Sequence, residues 1–159
     1  MTTTGFLRLF TSIVVCQLAG VIGSIFTASA VPTWYAALKK PPFTPPGWVF
    51  GPVWVTLYLL MGISAFVIWN KGLSDSRVRV GLTLFIAQLV LNALWSVMFF
   101  GLRSPLAGLV NIVALWILIS LTTLYFFKVS VTAGTLLVPY ILWVSFAAVL
   151  NFSILVLNS

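Results

Sequence analysis

The chain has no histidine, no glutamate and a single aspartate, Asp75. Each absence excludes a chemistry. Without His there is no Ser-His-Asp relay and no imidazole ligand for zinc or haem iron. Without a second carboxylate there is no acid–base pair and no oxygen cage for calcium. No acid lies within an apolar run, so the intramembrane carboxylate used by proton-coupled pumps is missing as well. The one cysteine, Cys16, has no internal disulfide partner and reads as a small core residue among apolar neighbours. Neither a metal site nor conventional catalysis is expected, and no cofactor is required.

Charge is scarce too. Charged residues make up 6% of the chain and hydrophobic ones 62%, against roughly 25% charged in a soluble domain. Eight Lys and Arg together with Asp75 divide the 159 residues into five uncharged runs, Leu9–Leu38, Pro41–Asn70, Val80–Leu102, Ser104–Phe127 and Val129–Ser159. About 20 apolar residues at about 1.5 Å each cross a bilayer's hydrocarbon core, so every run crosses once and none crosses twice. The first run is too long for the h-region of a cleavable signal, about 7–15 residues. The expected fold is an all-α membrane protein: one domain, 1–159, forming a single bundle of five transmembrane helices near 6–30, 47–70, 80–101, 105–127 and 132–157. An odd helix count does not divide into equal inverted repeats, which argues against the usual secondary-transporter plan.

The net charge of +7 is spread one to three residues at a time between apolar runs, with no basic stripe. The partner it implies is a lipid membrane, not nucleic acid. Arg8, Lys71, Arg77, Arg79 and Lys128 fall on the N-terminal side of the bundle, and Lys39, Lys40 and Arg103 on the other. This excess favours a cytoplasmic N-terminus.

What is present concentrates in one linker and a few helix faces. From Val31 to Gly51 the sequence VPTWYAALKKPPFTPPGWVFG holds five prolines, two tryptophans and a tyrosine. The pairs Pro41-Pro42 and Pro45-Pro46 exclude helix and predict a stiff extended turn, with a short helix within Thr33–Lys40 before it. Two readings stand: a rigid lid over the bundle mouth, or an interfacial anchor of Trp, Tyr and Lys at headgroup level. On the third helix Gln88, Asn92, Trp95 and Phe99 share a face, as do Tyr140, Trp143, Ala147 and Asn151 on the fifth. The second helix adds Trp54, Tyr58 and Met61, and the first a small, weakly polar seam of Gln17, Gly20, Ser24 and Thr27. Gln88, Asn92, Asn111 and Asn151 should face the interior, because amides in hydrocarbon need partners. They serve either as interhelical glue or as polar handles in an aromatic ligand pocket. Pro139 frees the carbonyl of Thr135 and predicts a bend beside Tyr140. Ala19, Gly20 and Gly23 offer a small-residue face for a homodimer or for packing within one chain.

The segment WYAALKKPPFTPP, Trp34–Pro46, followed by Pro52-Val-Trp54 and Leu57-Tyr58, resembles the translocator protein family. That family is also called tryptophan-rich sensory protein or peripheral benzodiazepine receptor. Leu91-Asn-Ala-Leu-Trp95 with Phe99-Phe-Gly101 is similar to its third helix. Val138-Pro-Tyr-Ile-Leu-Trp143, Phe146-Ala147 and Leu150-Asn151 are similar to its fifth. The resemblance implies an often dimeric five-helix receptor or sensor with a pocket under the first linker. Its ligands would be tetrapyrroles such as protoporphyrin IX and haem, and its role porphyrin homeostasis or stress regulation. Light-dependent porphyrin degradation, with Trp54 and Trp143 as candidate reactive residues, and transport of porphyrin or lipid-like metabolites are the alternatives. Pocket residues implied by matching motif are Tyr35 and Pro46 from the linker, Trp54 from the second helix, and Asn92, Trp95 and Phe99 from the third. Trp143, Phe146 and Ala147 come from the fifth. The chain departs from animal members at Phe43 and Thr44, where Trp and His are usual. Phe152 interrupts the sterol motif, so cholesterol is not an expected ligand. Asn111 stands where several members carry an acid.

Overall fold

A computed structural model describes residues 2–159 as five long helices: α1 (Thr3–Ala30), α2 (Gly47–Trp69), α3 (Ser76–Ser96), α4 (Pro105–Val129) and α5 (Val131–Leu157). Each belongs to a span with mean hydropathy between 1.9 and 2.2 and length enough to cross a membrane. The protein is therefore an integral, multi-pass membrane protein. Strands are absent among the described residues.

Short polar residues start α1, α3, α4 and α5 by taking up otherwise unpaired backbone N–H groups. Asp75 accepts from the Arg77 amide at 2.8 Å, and Ser104 accepts from the Ala107 amide at 3.1 Å, with Pro105 in the first turn of α4. Ser130 closes α4 and opens α5 in one residue, its N–H bonding the Phe126 carbonyl at 2.7 Å. The side-chain hydrogen bonds of Arg77 hold the Asp75 carboxyl below its ordinary value.

Two π-turns interrupt this regularity at the linker end of the bundle. Val31–Tyr35 continues α1, and Val97–Gly101 continues α3. The expected separate helix within Thr33–Lys40 does not form; the chain stays helical from α1 to Ala37. Pro32 has no N–H to bond the carbonyl four residues back, so the ladder shifts to the wider turn. In the second π-turn Leu102 bonds back to the Val97 carbonyl at 2.8 Å, five residues away. Beyond the first, Pro41 accepts from both the amide and the hydroxyl of Thr44, at 3.1 and 2.7 Å, closing the proline-rich turn.

The half of the bundle away from the linker is solidly packed. Met61, Ile68, Val78, Ile119 and Phe126 are fully buried there, and Phe126 stacks on Phe85 at 5.8 Å. Gly62 lets α1 approach so closely that an added Cβ would lie 2.7 Å from the Ile13 Cα. Gly20 and Gly23 are used the same way: a Cβ there would meet the Tyr58 ring at 2.5 Å and the Ser96 hydroxyl at 2.9 Å. The small-residue face considered for dimerisation is thus occupied by contacts within the chain.

Candidate functional site

Beneath the linker, between α1, α2, α3 and α5, lies a cavity of about 650 Å³. Among the described residues α4 contributes nothing to its lining.

Its floor is a directed chain of hydrogen bonds. Tyr58 donates to the Asn92 carbonyl oxygen. The Asn92 amide donates to the Tyr140 hydroxyl at 2.9 Å, which donates in turn to Gln88 Oε1 at 2.8 Å. The chain joins α2, α3 and α5. Tyr58 and Asn92 reach the cavity, whereas Tyr140 and Gln88 are buried below it. All four predicted interior amides, Gln88, Asn92, Asn111 and Asn151, are buried. Asn111 donates to the Leu91 carbonyl at 2.9 Å, tying α4 to α3 outside the cavity.

The walls are aromatic. Trp54 stacks on Tyr58 with ring centroids 5.4 Å apart, and Trp95 stacks on Phe99 at 5.1 Å. The Trp95 indole donates to Asn151 Oδ1 at 3.2 Å, and the Asn151 amide donates to the Pro105 carbonyl at 2.8 Å. These bonds fix the ring to α5 and to the start of α4. Trp143 and Ala147 complete the α5 wall, and the seam Gln17, Gly20, Ser24 and Thr27 forms that of α1.

The roof is the linker. The Tyr35 ring meets Phe99 and Phe100 edge-on at 6.2 and 5.6 Å. The Lys40 ammonium lies 4.7 Å from the Tyr35 ring and donates to the carbonyls of Leu38 (3.1 Å) and Ala36 (3.3 Å). Lys40 is the one cation lining the cavity among the described residues. The backbone of Lys39 is held instead by Asn158 at the end of α5, through N–H to Oδ1 at 3.0 Å and Nδ2–H to C=O at 2.9 Å. The linker therefore covers the mouth as a lid does.

Tyr35, Trp54, Asn92, Trp95, Phe99, Trp143 and Ala147 all reach this cavity. Pro46 and Phe146 do not. Pro46 is the exposed cap of α2. Phe146 stands behind the wall, 5.5 Å from the Trp143 ring and 6.3 Å from that of Phe43. Met61, grouped with Trp54 and Tyr58, belongs to the packed core, and Pro139 faces outward, one turn before the α5 lining begins. Phe50, Ser96 and Phe100 line the cavity without having been expected. Phe50 lies four residues before Trp54 and shares its helical face, a spacing that would have identified it. Phe100 follows Phe99 directly, and only the π-turn brings both to the site.

A five-helix membrane bundle with a covered, aromatic cavity between four of its helices has the form of a membrane receptor, since pockets of about 300–1,000 Å³ hold small ligands. The sequence profile of the TspO/MBR family matches residues 12–157. The chain is 50% identical to the tryptophan-rich protein TspO of Archaeoglobus fulgidus over 154 residues, 96% of this chain and 98% of that one. It is 38% identical to the translocator protein of Homo sapiens over 84% of this chain and 79% of that one. With the tryptophan-rich sensory protein of Cereibacter sphaeroides it shares 36% identity over 79% of this chain and 77% of that one. The chain belongs to the TspO/MBR family, and this membership supports a membrane sensor or receptor role.

Proposed function

We propose that the chain is a tetrapyrrole receptor, holding a porphyrin such as protoporphyrin IX in the cavity beneath the linker. One observation carries the reading: Trp54, Trp95, Trp143 and Phe99 wall a single cavity whose mouth has one cation, Lys40. Flat π-systems stack on such walls, and an ammonium at the rim pairs with a propionate. Among the described residues the lining has no His, Cys or carboxylate, and the Tyr58 hydroxyl is engaged with Asn92, so recognition rests on the macrocycle, and haem and the metal-free ring compete for one place. Protoporphyrin IX should quench the tryptophan fluorescence of reconstituted protein saturably. Trp143→Phe and Lys40→Ala should each weaken it, and an unsaturable response removes the proposal.

A second reading is supported by Trp54 and Trp143 lining the same cavity from α2 and α5. A light-excited porphyrin held there would abut two oxidisable indoles, with dioxygen as the final oxidant. Illumination of the complex with and without oxygen tests it, and products that persist in the Trp54→Phe, Trp143→Phe double variant exclude a role for these residues. We place the protein in a cell membrane with its N-terminus cytoplasmic, which puts the linker on the outer side. Labelling of a Lys39→Cys variant by an impermeant thiol reagent reads that orientation directly.

A further inference from the structure

The linker lies over one end of the cavity, and along the α1–α2 edge residues that line it are exposed. On the water side the linker is pinned by the two Asn158 bonds to the Lys39 backbone and folded on itself by the Pro41–Thr44 turn. On the membrane side α1 and α2 touch only along their lower halves. Gly62 packs on Ile13, Gly20 on Tyr58, and Gln17 donates to the Val55 carbonyl at 3.1 Å. Above that bond the helices part. Val21, Ser24 and Ala28 on one edge, and Gly47, Gly51 and Val55 on the other, both line the cavity and are exposed. Val21 is 56% and Val55 58% exposed, so each faces outward as well as inward. At this edge a Cβ added at Gly47 or at Gly51 meets nothing within 4 Å. The edges lie on helices long and apolar enough to cross a membrane, which turns this slot toward the lipid side of the bundle.

We propose that the cavity is loaded sideways from the bilayer through the slot between α1 and α2, and that its occupants include membrane-dissolved amphiphiles with an apolar body and one anionic head. The physical chemistry follows from the lining. An apolar molecule already in the hydrocarbon crosses an apolar slot without rehydration, whereas passage through the linker would require breaking its hydrogen bonds. Lys40 lies at the end of the cavity nearest the headgroups, and a carboxylate there replaces its present carbonyl partners with a charge-assisted one. The proposal goes beyond the tetrapyrrole reading, because it assigns a route and a broader ligand class.

The probe is 9,10-dibromostearate, a bromine quencher of tryptophan, in nanodiscs of neutral phosphatidylcholine. Lipid-facing Trp48 and Trp116 supply a background linear in probe, and the cavity tryptophans a saturable part. Gly51→Phe, and independently Gly47→Phe, should slow the saturable phase at least tenfold without changing the unfolding temperature. Lys40→Ala should weaken dibromostearate severalfold but not the uncharged dibromostearyl alcohol. Asn158→Ala, which frees the linker, should leave the filling rate unchanged. Filling as fast in both glycine variants as in the parent, filling accelerated by Asn158→Ala, or quenching without a saturable part overturns the proposal. Saturable dibromostearate binding in a protein that ignores protoporphyrin IX sustains the slot and sinks the tetrapyrrole reading.

Discussion

The two halves of this bundle are built from the same five helices and the same residue types, yet one is solid and the other hollow. The difference is visible in their glycines. In the solid half Gly62, Gly81 and Gly134 each touch a neighbouring helix, with Ile13, Phe126 and Phe127 occupying the space that a Cβ would need. In the hollow half Gly20, Gly23 and Gly108 are still packed by Tyr58, Ser96 and Phe99, but Gly47 and Gly51 at the α1–α2 edge face open space. Small residues let membrane helices approach where no hydrophobic force drives them together. The same residue type leaves a gap where no neighbouring side chain fills its place, beside rings that stack along their own helices, as Trp95–Phe99 and Trp54–Tyr58 do. The Tyr58–Asn92–Tyr140–Gln88 chain marks the boundary between the halves. Packing below it gives stability; spacing above it gives room for a ligand.

Truncation gives the largest contrast. Phe126→Ala should cost about 3–5 kcal/mol, because it opens a void in a close-packed region. Phe99→Ala, beside a cavity that already exists, should cost less while enlarging the ligand space. Unfolding in detergent compares the two, and equal losses would break the distinction. Overpacking comes next. Gly62→Val should cost about 1–3 kcal/mol by pushing α1 off α2, whereas Gly51→Val should stay within about 0.5 kcal/mol. At the boundary, Tyr140→Phe removes one acceptor and one donor and should lower stability by about 0.6–2 kcal/mol. Because Tyr140 lies below the floor, protoporphyrin IX titration of that variant should match the parent.

The smallest effect belongs to acid, and only outside the membrane. Arg77 hydrogen bonds lower the folded-state value of Asp75, so its contribution is present above the ordinary carboxylate value of about 3.9 and is lost as pH falls through the lowered one. The protection of the Ser76–Arg79 amides against exchange, measured relative to the intrinsic rate at each pH, should fall at low pH, with ligand titration at the hollow end unaffected by this group.

Much of this division was legible in the sequence. Uncharged run lengths predicted all five helices, and the need of amides for partners placed Gln88, Asn92, Asn111 and Asn151 inside. Helical spacing put Trp95 with Phe99, and Trp143 with Ala147. Spacing failed where the helix was not α: the π-turn at Val97–Gly101 rotates Phe100 into the site, and the one at Val31–Tyr35 replaces the expected separate helix. Neither the motif match that brought in Phe146 nor the helical face that brought in Tyr140 could separate wall from second layer: Phe146 falls behind Trp143 and Tyr140 below the floor. The slot is made of what glycines lack, and the Asn158 clamp joins residues 119 positions apart. Neither leaves a local pattern.

The central claim is that the hollow half is a ligand site and not merely loose packing. Ala147 lines the cavity wall and is not tightly buried, so Ala147→Trp should fill the space from within while the solid half keeps the fold. Titration of that variant and the parent with protoporphyrin IX in nanodiscs tests this most directly. The account predicts saturable, one-to-one quenching in the parent and at least a tenfold loss of affinity in Ala147→Trp at an unchanged unfolding temperature. Equal affinity in the two proteins would contradict it.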